Sequence, residues 1–119
     1  MCLKLTTWHA ADQFYRAASA ATANYCAAKR GRFAAEFIAK LGTVVEEIDE
    51  AVHWLEHMRD VKIANDPDLL SEAEQLRRIW GASLGTARRN EKARLQRLKD
   101  ERARPRQKQS KPPRYPDPT

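Results

Sequence analysis

Acidic and histidine side chains near the middle of the chain have a spacing that could bind a metal ion. Glu50 and His53 form a Glu-x-x-His sequence, the pattern used by di-iron carboxylate bundles. Glu46 and His57 extend the same helical face. At 100° per residue, this face is centred about 150° from the neighbouring apolar stripe and points away from the core. A di-iron site also needs a second Glu-x-x-His, but the remaining histidine, His9, forms none. We therefore predict a solvated acidic face and no metal site.

Other residues that could support catalysis or cofactor binding are isolated. Cys2 and Cys26 have no metal-ligand spacing, and neither has a histidine and a carboxylate in a recognisable order. Cys26 lies in an Ala-rich segment, which predicts a small buried side chain and no disulfide. The glycines form no phosphate-binding loop: Gly31, Gly42, Gly81 and Gly85. Gly81 and Gly85, four residues apart, predict close helix packing. We predict no catalytic residue and no cofactor, and we expect that the protein is not an enzyme.

Basic side chains are concentrated in two places. The net charge is +6, yet residues 1–87 carry 10 Lys/Arg against 12 Asp/Glu, and residues 88–119 carry 12 against 4. The basic arm after Ala87 suits an anionic partner such as RNA or DNA, and an equally open alternative is a solvated tail that maintains solubility. Nucleic-acid contacts would be to phosphates and sensitive to salt. The candidate nucleic-acid-binding residues are Lys29, Arg30, Arg32, Arg88, Arg89, Lys92, Arg94 and Arg97.

The apolar spacing predicts three helices and no strand, so the expected class is all-α. The first helix is expected from Trp8 to Arg30, with Thr6 or Thr7 as its N-cap. Gly31 would end it in the left-handed conformation. The predicted core positions of this helix recur every three or four residues: Phe14, Ala18, Ala21, Tyr25 and Ala28. Because the segment is rich in alanine, we expect it to be packed on several sides.

The second helix is expected from Phe33 or Ala34 to Val61. Its predicted core stripe is Phe37 or Ile38, Leu41, Val45, Ile48, Val52 and Leu55, flanked by Trp54 and Met58. The third helix should start at Pro67 or Asp68 with Asp66 as its N-cap, and continue to about Ala103 before Pro105. Its predicted stripe is Leu69, Ala73, Leu76, Trp80, Ser83 or Leu84, and Ala87.

These helices define the predicted organisation of the chain. Residues 1–90 form a helical bundle domain, residues 91–104 are a basic extension of the last helix, and residues 105–119 are a Pro-rich basic tail. Neither a signal peptide nor a run of about 18 apolar residues is visible, so we expect a cytoplasmic protein without membrane contact. Apolar residues on more than one helix face indicate self-association.

Several segments taken together resemble a known family. The segments are ANYCAAKRGRFAAEFIAKLG, VVEEIDEAVHWLEHM and SLGTARRN. They resemble the four-helix bundle proteins called 23S-rRNA intervening-sequence proteins over residues 8–90. The matching positions are Asn24-Tyr25, Glu36-Phe37-Ile38, Lys40-Leu41, Asp49-Glu50, Trp54-Leu55 and Thr86-Ala87-Arg88-Arg89-Asn90.

This resemblance implies an antiparallel four-helix bundle that assembles into a ring-shaped homopentamer without catalytic activity. A related branch, the accessory variability proteins of diversity-generating retroelements, binds a reverse transcriptase and nucleic acid. The expectation is therefore a non-catalytic oligomeric protein that binds nucleic acid through its basic arm. The alternative is a protein-interaction scaffold, for example for a reverse transcriptase, with a solubilising tail.

The chain departs from the family pattern in three places. The first family helix is nearly absent, because only Met1–Thr7 precede the segment that resembles the second. Phe33 replaces the serine that would form a capping box with Glu36, a loss of about 1 kcal/mol. The arm after Asn90 is longer and more basic than the family core requires.

Overall fold

Three long helices make up the part of the chain that the structure, a computed structural model, describes, which is residues 3–105. They are α1 (Leu3–Lys29), α2 (Ala34–Asp60) and α3 (Pro67–Ala103), and residues 3–105 contain no strand. The all-α class is therefore confirmed. Cys2 and the predicted tail from residue 106 onward lie outside the described residues.

The helices run up, down and up, with α2 in the middle. Both α1 and α3 pack along α2, whereas the backbones of α1 and α3, as far as the structure describes them, stay apart. Side chains still meet across that gap, because the rings of Tyr25 and Trp80 stack with centroids 4.8 Å apart. The arrangement is three sides of a bundle, with an open place between α1 and α3.

The core lies along one face of α2 and is built on small residues of α1. The buried residues of α2 are Leu41, Val44, Ile48, Ala51, Val52, Leu55 and Met58. The buried residues of α1 are all alanines: Ala10, Ala17, Ala21 and Ala28. Alanine side chains let the two helix axes approach closely, so the larger α2 side chains fill the space between them.

Several predicted core positions differ from the buried residues of the structure, either by one residue along the helix or in how deeply they are buried. Val44 is fully buried and Val45 only partly so, and Ala17 is buried rather than Ala18. Met58 belongs to the core instead of its flank. On α3, Leu84 is the one buried member of the predicted stripe within residues 67–103, Ala73 and Trp80 are half-buried against the core, and Leu69 and Leu76 are exposed. The physical reason is that the backbone of α3 packs on α2 alone, so apolar side chains of α3 that face neither α2 nor Tyr25 stay in contact with water.

The start of α1 and its end differ from prediction. The helix begins at Leu3, so Thr6 and Thr7 lie inside it and neither is its N-cap. No glycine between residues 3 and 105 has a positive φ, so Gly31 does not end α1 in the left-handed conformation. An added Cβ at Gly31 would lie 3.2 Å from the Ala28 carbonyl oxygen and 3.3 Å from the Phe37 amide nitrogen, so a side chain here would be tight against the backbone.

The link between α2 and α3 uses a lysine where a glycine is common. Lys62 has φ +60°, and the following amide of Ile63 donates to the carbonyl oxygen of Met58 over 2.9 Å. This geometry satisfies the last carbonyl groups of α2. Asp66 is the N-cap of α3 as predicted, because its carboxylate accepts from the Leu69 amide at 3.0 Å. Pro67 then occupies the first helical turn.

The glycines of α3 do not support close helix packing. An added Cβ at Gly81 meets nothing within 4 Å, and one at Gly85 meets only the Arg89 side chain, at 3.3 Å. The prediction of a close approach at this pair is therefore wrong. Glycine in a helix interior is less stable than alanine by about 1 kcal/mol.

Replacement of Gly81 by alanine should therefore stabilise the fold. We expect Gly81→Ala to raise the free energy of unfolding by about 0.5–1 kcal/mol, measured by urea unfolding followed by circular dichroism. The exposed neighbour Ala82 provides the matched control, since Ala82→Gly should lower stability by a similar amount. A loss of stability in Gly81→Ala would mean that another chain packs closely on this face.

Candidate nucleic-acid interface

The fold brings the two basic segments of the sequence to the same end of the bundle. The α1–α2 turn lies at this end, because α1 finishes at Lys29 and α2 begins at Ala34. Since α3 runs antiparallel to α2, its C-terminal part returns to the same end. The side chain of Arg88 on α3 passes close to Gly42 on α2: a Cβ added to Gly42 would lie 3.7 Å from the Arg88 Nη2 atom. The two basic segments are 56 or more residues apart in sequence and lie at the same end of the fold.

The charge of the chain is divided along the bundle axis. Residues 29–42 and 88–105, which we call the basic end, together carry 12 Lys/Arg against 4 Asp/Glu. Residues 43–87, which form the rest of α2 and most of α3, carry 4 Lys/Arg against 10 Asp/Glu. An anionic polymer is attracted to the basic end and repelled by residues 43–87, so its approach is oriented.

The three basic side chains of the α1–α2 turn differ in what surrounds them. Lys29 lies over the ring of Tyr25, with Nζ 4.9 Å from the ring centroid. Arg30 and Arg32 are exposed. The Arg32 amide donates to the Glu36 carboxylate at 3.2 Å, while Phe33, the N-cap of α2, makes no side-chain cap hydrogen bond. Glu36 therefore helps to cap α2 without the family serine, by bonding one residue earlier than a capping box would.

A shallow cleft of about 400 Å³ lies between α2 and the C-terminal part of α3. We call it the basic cleft, and it is lined by Ile38, Arg88, Glu91, Lys92, Leu95, Gln96 and Lys99. Arg88, Lys92 and Lys99 share one side of α3, because they are four and seven residues apart. The apolar floor from Ile38 and Leu95 lets these long side chains lie flat with their charged ends in water.

Two predicted arginines are engaged within α3. Arg94 pairs with Glu91 through two hydrogen bonds of 2.7 and 3.1 Å. The hydrogen bond from Arg94 lowers the pKa of Glu91, and that from Glu91 raises the pKa of Arg94, so both groups stay ionised. Arg89 donates to the Thr86 hydroxyl at 3.1 Å and, by helical phase, lies on a different side of α3 from Arg88.

The predicted nucleic-acid-binding residues therefore do not form one patch in the structure. Arg88 and Lys92 lie in the basic cleft, whereas Arg94 serves mainly to neutralise the carboxylate of Glu91 beside it. Arg97 is exposed and makes no hydrogen bond or ion pair within residues 3–105. Lys99 belongs to the cleft but was not among the candidates, although its spacing from Arg88 and Lys92 could have indicated it.

The acidic and histidine face of α2 lies where helical phase predicted. Glu46, Glu50 and His53 are exposed, and His57 is half-buried against Trp54 with ring centroids 5.5 Å apart. Across residues 3–105 no three or more His, Cys, Asp or Glu side chains are grouped to hold a metal ion. The rings of His53 and His57, together with that of His9 from α1, lie edge-on around Trp54. The indole N–H of Trp54 is buried and has no hydrogen-bond partner among residues 3–105.

Cys26 was predicted to be buried, and this prediction is wrong. Its side chain is exposed and not in a disulfide, on the side of α1 that turns away from α2. The Ala-rich spacing fits two neighbouring faces of α1 equally well, which is why the sequence did not distinguish them.

Comparisons with protein-family models, with curated proteins and with solved structures found no match. The resemblance described above therefore rests on the quoted residues alone. None of the helices within the described range is both long and apolar enough to cross a membrane.

Proposed function

We propose that this chain is a non-catalytic, self-associating helical-bundle protein that binds the phosphate backbone of RNA or DNA through its basic end. The observation that supports this proposal is that two distant basic segments lie at the same end of the bundle, whereas residues 43–87 carry 4 Lys/Arg against 10 Asp/Glu. A solubilising tail alone would not require the turn cations and those of α3 to lie at the same end of the bundle. The contacts are to phosphates, so binding is sensitive to salt and tolerant of sequence.

The first test is a salt titration with the purified full-length chain. Fluorescence anisotropy with a labelled 20-base-pair duplex, in RNA and DNA versions of mixed sequence, should show binding at 50 mM salt. We expect the affinity to fall by a factor on the order of 100 or more by 200 mM salt, as several phosphate contacts require. Absence of binding at 50 mM salt, or affinity that does not change with salt, would refute the proposal.

The assembly implied by the resemblance is a finer proposal. A four-helix bundle and a ring of five copies remain predictions, and the support from the fold is limited to three helices with a place for a fourth. In such an assembly, several basic ends would bind one nucleic acid together and raise its apparent affinity.

A second candidate function, a protein-interaction scaffold, is favoured by the uncovered apolar groove between α1 and α3. In that case a partner such as a reverse transcriptase would dock on the bundle while the tail maintains solubility. A co-purifying protein that remains bound after nuclease treatment and after neutralisation of the basic cleft would favour the scaffold over nucleic-acid binding.

A further inference from the structure

An apolar groove of about 190 Å³ runs between α1 and α3, with α2 as its floor. Ile48 and Ala51 of α2 form part of the floor. Phe14 and Ala18 line one wall, and Leu69 lines the other. The groove exists because each outer helix packs on α2 and their backbones do not meet. A helix is the element whose width and apolar surface fit such a place.

The first wall of the groove continues into a second apolar face of α1. Its members recur every three or four residues: Trp8, Ala11, Tyr15, Ala18, Thr22 and Cys26. At 100° per residue this face is centred about 120° from the alanine face packed on α2. From Trp8 to Cys26 none of these residues is charged, and Lys29 continues the same spacing into the basic end. Trp8 is 66% exposed and Tyr15 is 71% exposed.

The opposite wall, on α3, is also apolar and uncovered. Leu69 is 37%, Leu76 is 42% and Ile79 is 57% exposed. Glu72 is the one charged side chain that the structure places in the lining of the groove. Monomeric soluble proteins rarely leave an apolar surface of this extent in contact with water.

We propose that the groove is filled by α1 of a second copy of this chain, in a two-fold dimer. When the two-fold axis runs parallel to the helices, α1 of each copy enters the groove of the other. The two α1 helices then lie side by side and parallel, and each also contacts α3 of its partner. The same surface serves both copies, as an isologous interface requires. An alanine-rich α1 suits this central position because small side chains allow close approach on several sides.

The surface available is large enough for a specific dimer. Trp8 and Tyr15 alone expose on the order of 250 Å² per copy, since aromatic side chains bury about 150–250 Å² each. The exposed fractions of Leu69, Leu76 and Ile79 add a comparable area. Both copies together bury on the order of 1,000 Å², which is about the smallest area expected of a biological interface and is typical of a weak dimer.

Charge explains why this dimer should respond to salt in an unusual direction. A parallel arrangement brings two basic ends side by side, each with 12 Lys/Arg against 4 Asp/Glu. Their repulsion is screened by added salt, whereas burial of the apolar groove is not weakened by it. We therefore expect self-association to strengthen with salt, while nucleic-acid binding weakens.

The first test is the mass of the purified full-length chain, by sedimentation or light scattering without nucleic acid. The inference rests on the proposed self-association but not on nucleic-acid binding, so either can fail separately. We expect two copies, with a dimer dissociation constant that is lower at 500 mM than at 50 mM salt. A monomer at all concentrations would refute self-association, and a mass of five copies would replace the two-fold dimer by the ring.

Charged substitutions locate the interface. Tyr15→Glu changes the exposed second face of α1 beside the groove, and Leu76→Glu changes the α3 wall of the groove. Each should weaken the dimer at least tenfold while the helical circular dichroism signal is kept. The matched control is Ala82→Glu, because Ala82 is exposed on the side of α3 that points away from α2 and the groove. A dimer that survives both substitutions, or is weakened equally by the control, would contradict the proposed surface.

A cysteine substitution tests the parallel orientation even if a charged variant does not fold. Ala11 lies on the second face of α1, near the axis that would relate the two copies. In a chain with Cys2→Ser and Cys26→Ser, Ala11→Cys should form a reducible disulfide-linked dimer on mild oxidation. An antiparallel pair would place Ala11 far from its counterpart. Failure of the cross-link at a dimeric mass would therefore reject the parallel arrangement.

Discussion

A chain in which Arg88, Lys92 and Lys99 are all replaced by glutamine should bind duplex RNA or DNA on the order of 10- to 100-fold more weakly at 50 mM salt. These side chains line one cleft and point into the same solvent region. Each cation that contacts a phosphate releases a counterion, so the slope of log affinity against log salt should fall by about one for each lost contact. Fluorescence anisotropy at four or more salt concentrations measures both quantities.

The matched control removes three positive charges elsewhere. Arg16, Lys62 and Arg78 lie outside the basic end, and their replacement by glutamine changes the net charge by the same amount. We expect this variant to lose far less affinity and to keep a salt slope close to that of the unmodified chain. Equal losses in both variants would mean that net charge, and not the basic cleft, governs binding.

Arg94 shows why a count of basic residues in the sequence exceeds the number of cations that are free to bind phosphate. Its two hydrogen bonds to Glu91 hold the guanidinium against α3 and offset one positive charge with one negative charge. Lys29 is likewise positioned by a neighbour, the ring of Tyr25. Sequence spacing could indicate the Arg94–Glu91 pair, since residues three apart on a helix are neighbours. It could not indicate that the turn and α3 meet, because that depends on how the helices pack.

The helices themselves were predictable because local signals decide their ends. Asp66 followed by Pro67 marks the start of α3, and the structure has the predicted cap at 3.0 Å. The left-handed residue of the α2–α3 link was not predictable from composition. Lys62 occupies that conformation although glycine would adopt it more easily, and the surrounding hydrogen bonds hold it there.

The choice of core positions was less predictable than the helices. On α1, Phe14 and Tyr25 were predicted as core positions together with alanines, but they are half-buried and alanines hold the most buried positions. Apolar residues on this helix occupy two faces about 120° apart, so spacing alone does not say which one meets α2. The same ambiguity made Val45 the predicted core residue of α2 in place of Val44.

The adjacent pair Val44 and Val45 therefore provides a sharp test of the packing. Val44 is 0% exposed and belongs to the largest buried cluster, whereas Val45 packs at the edge of that cluster. Val44→Asp should place a carboxylate among apolar side chains with no partner, at a cost of several kcal/mol. Because small domains are stable by only about 5–15 kcal/mol, we expect this variant to lose its cooperative unfolding transition.

Val45→Asp is the matched comparison, since the same substitution at the edge of the core can turn its carboxylate toward water. We expect it to keep the helical circular dichroism signal and a cooperative urea transition, with a smaller loss of stability than Val44→Asp. The reverse order would mean that α2 is rotated so that Val45 faces α1. That rotation would also move Ile48 and Ala51 out of the groove floor, and the surface proposed for the second copy would no longer exist.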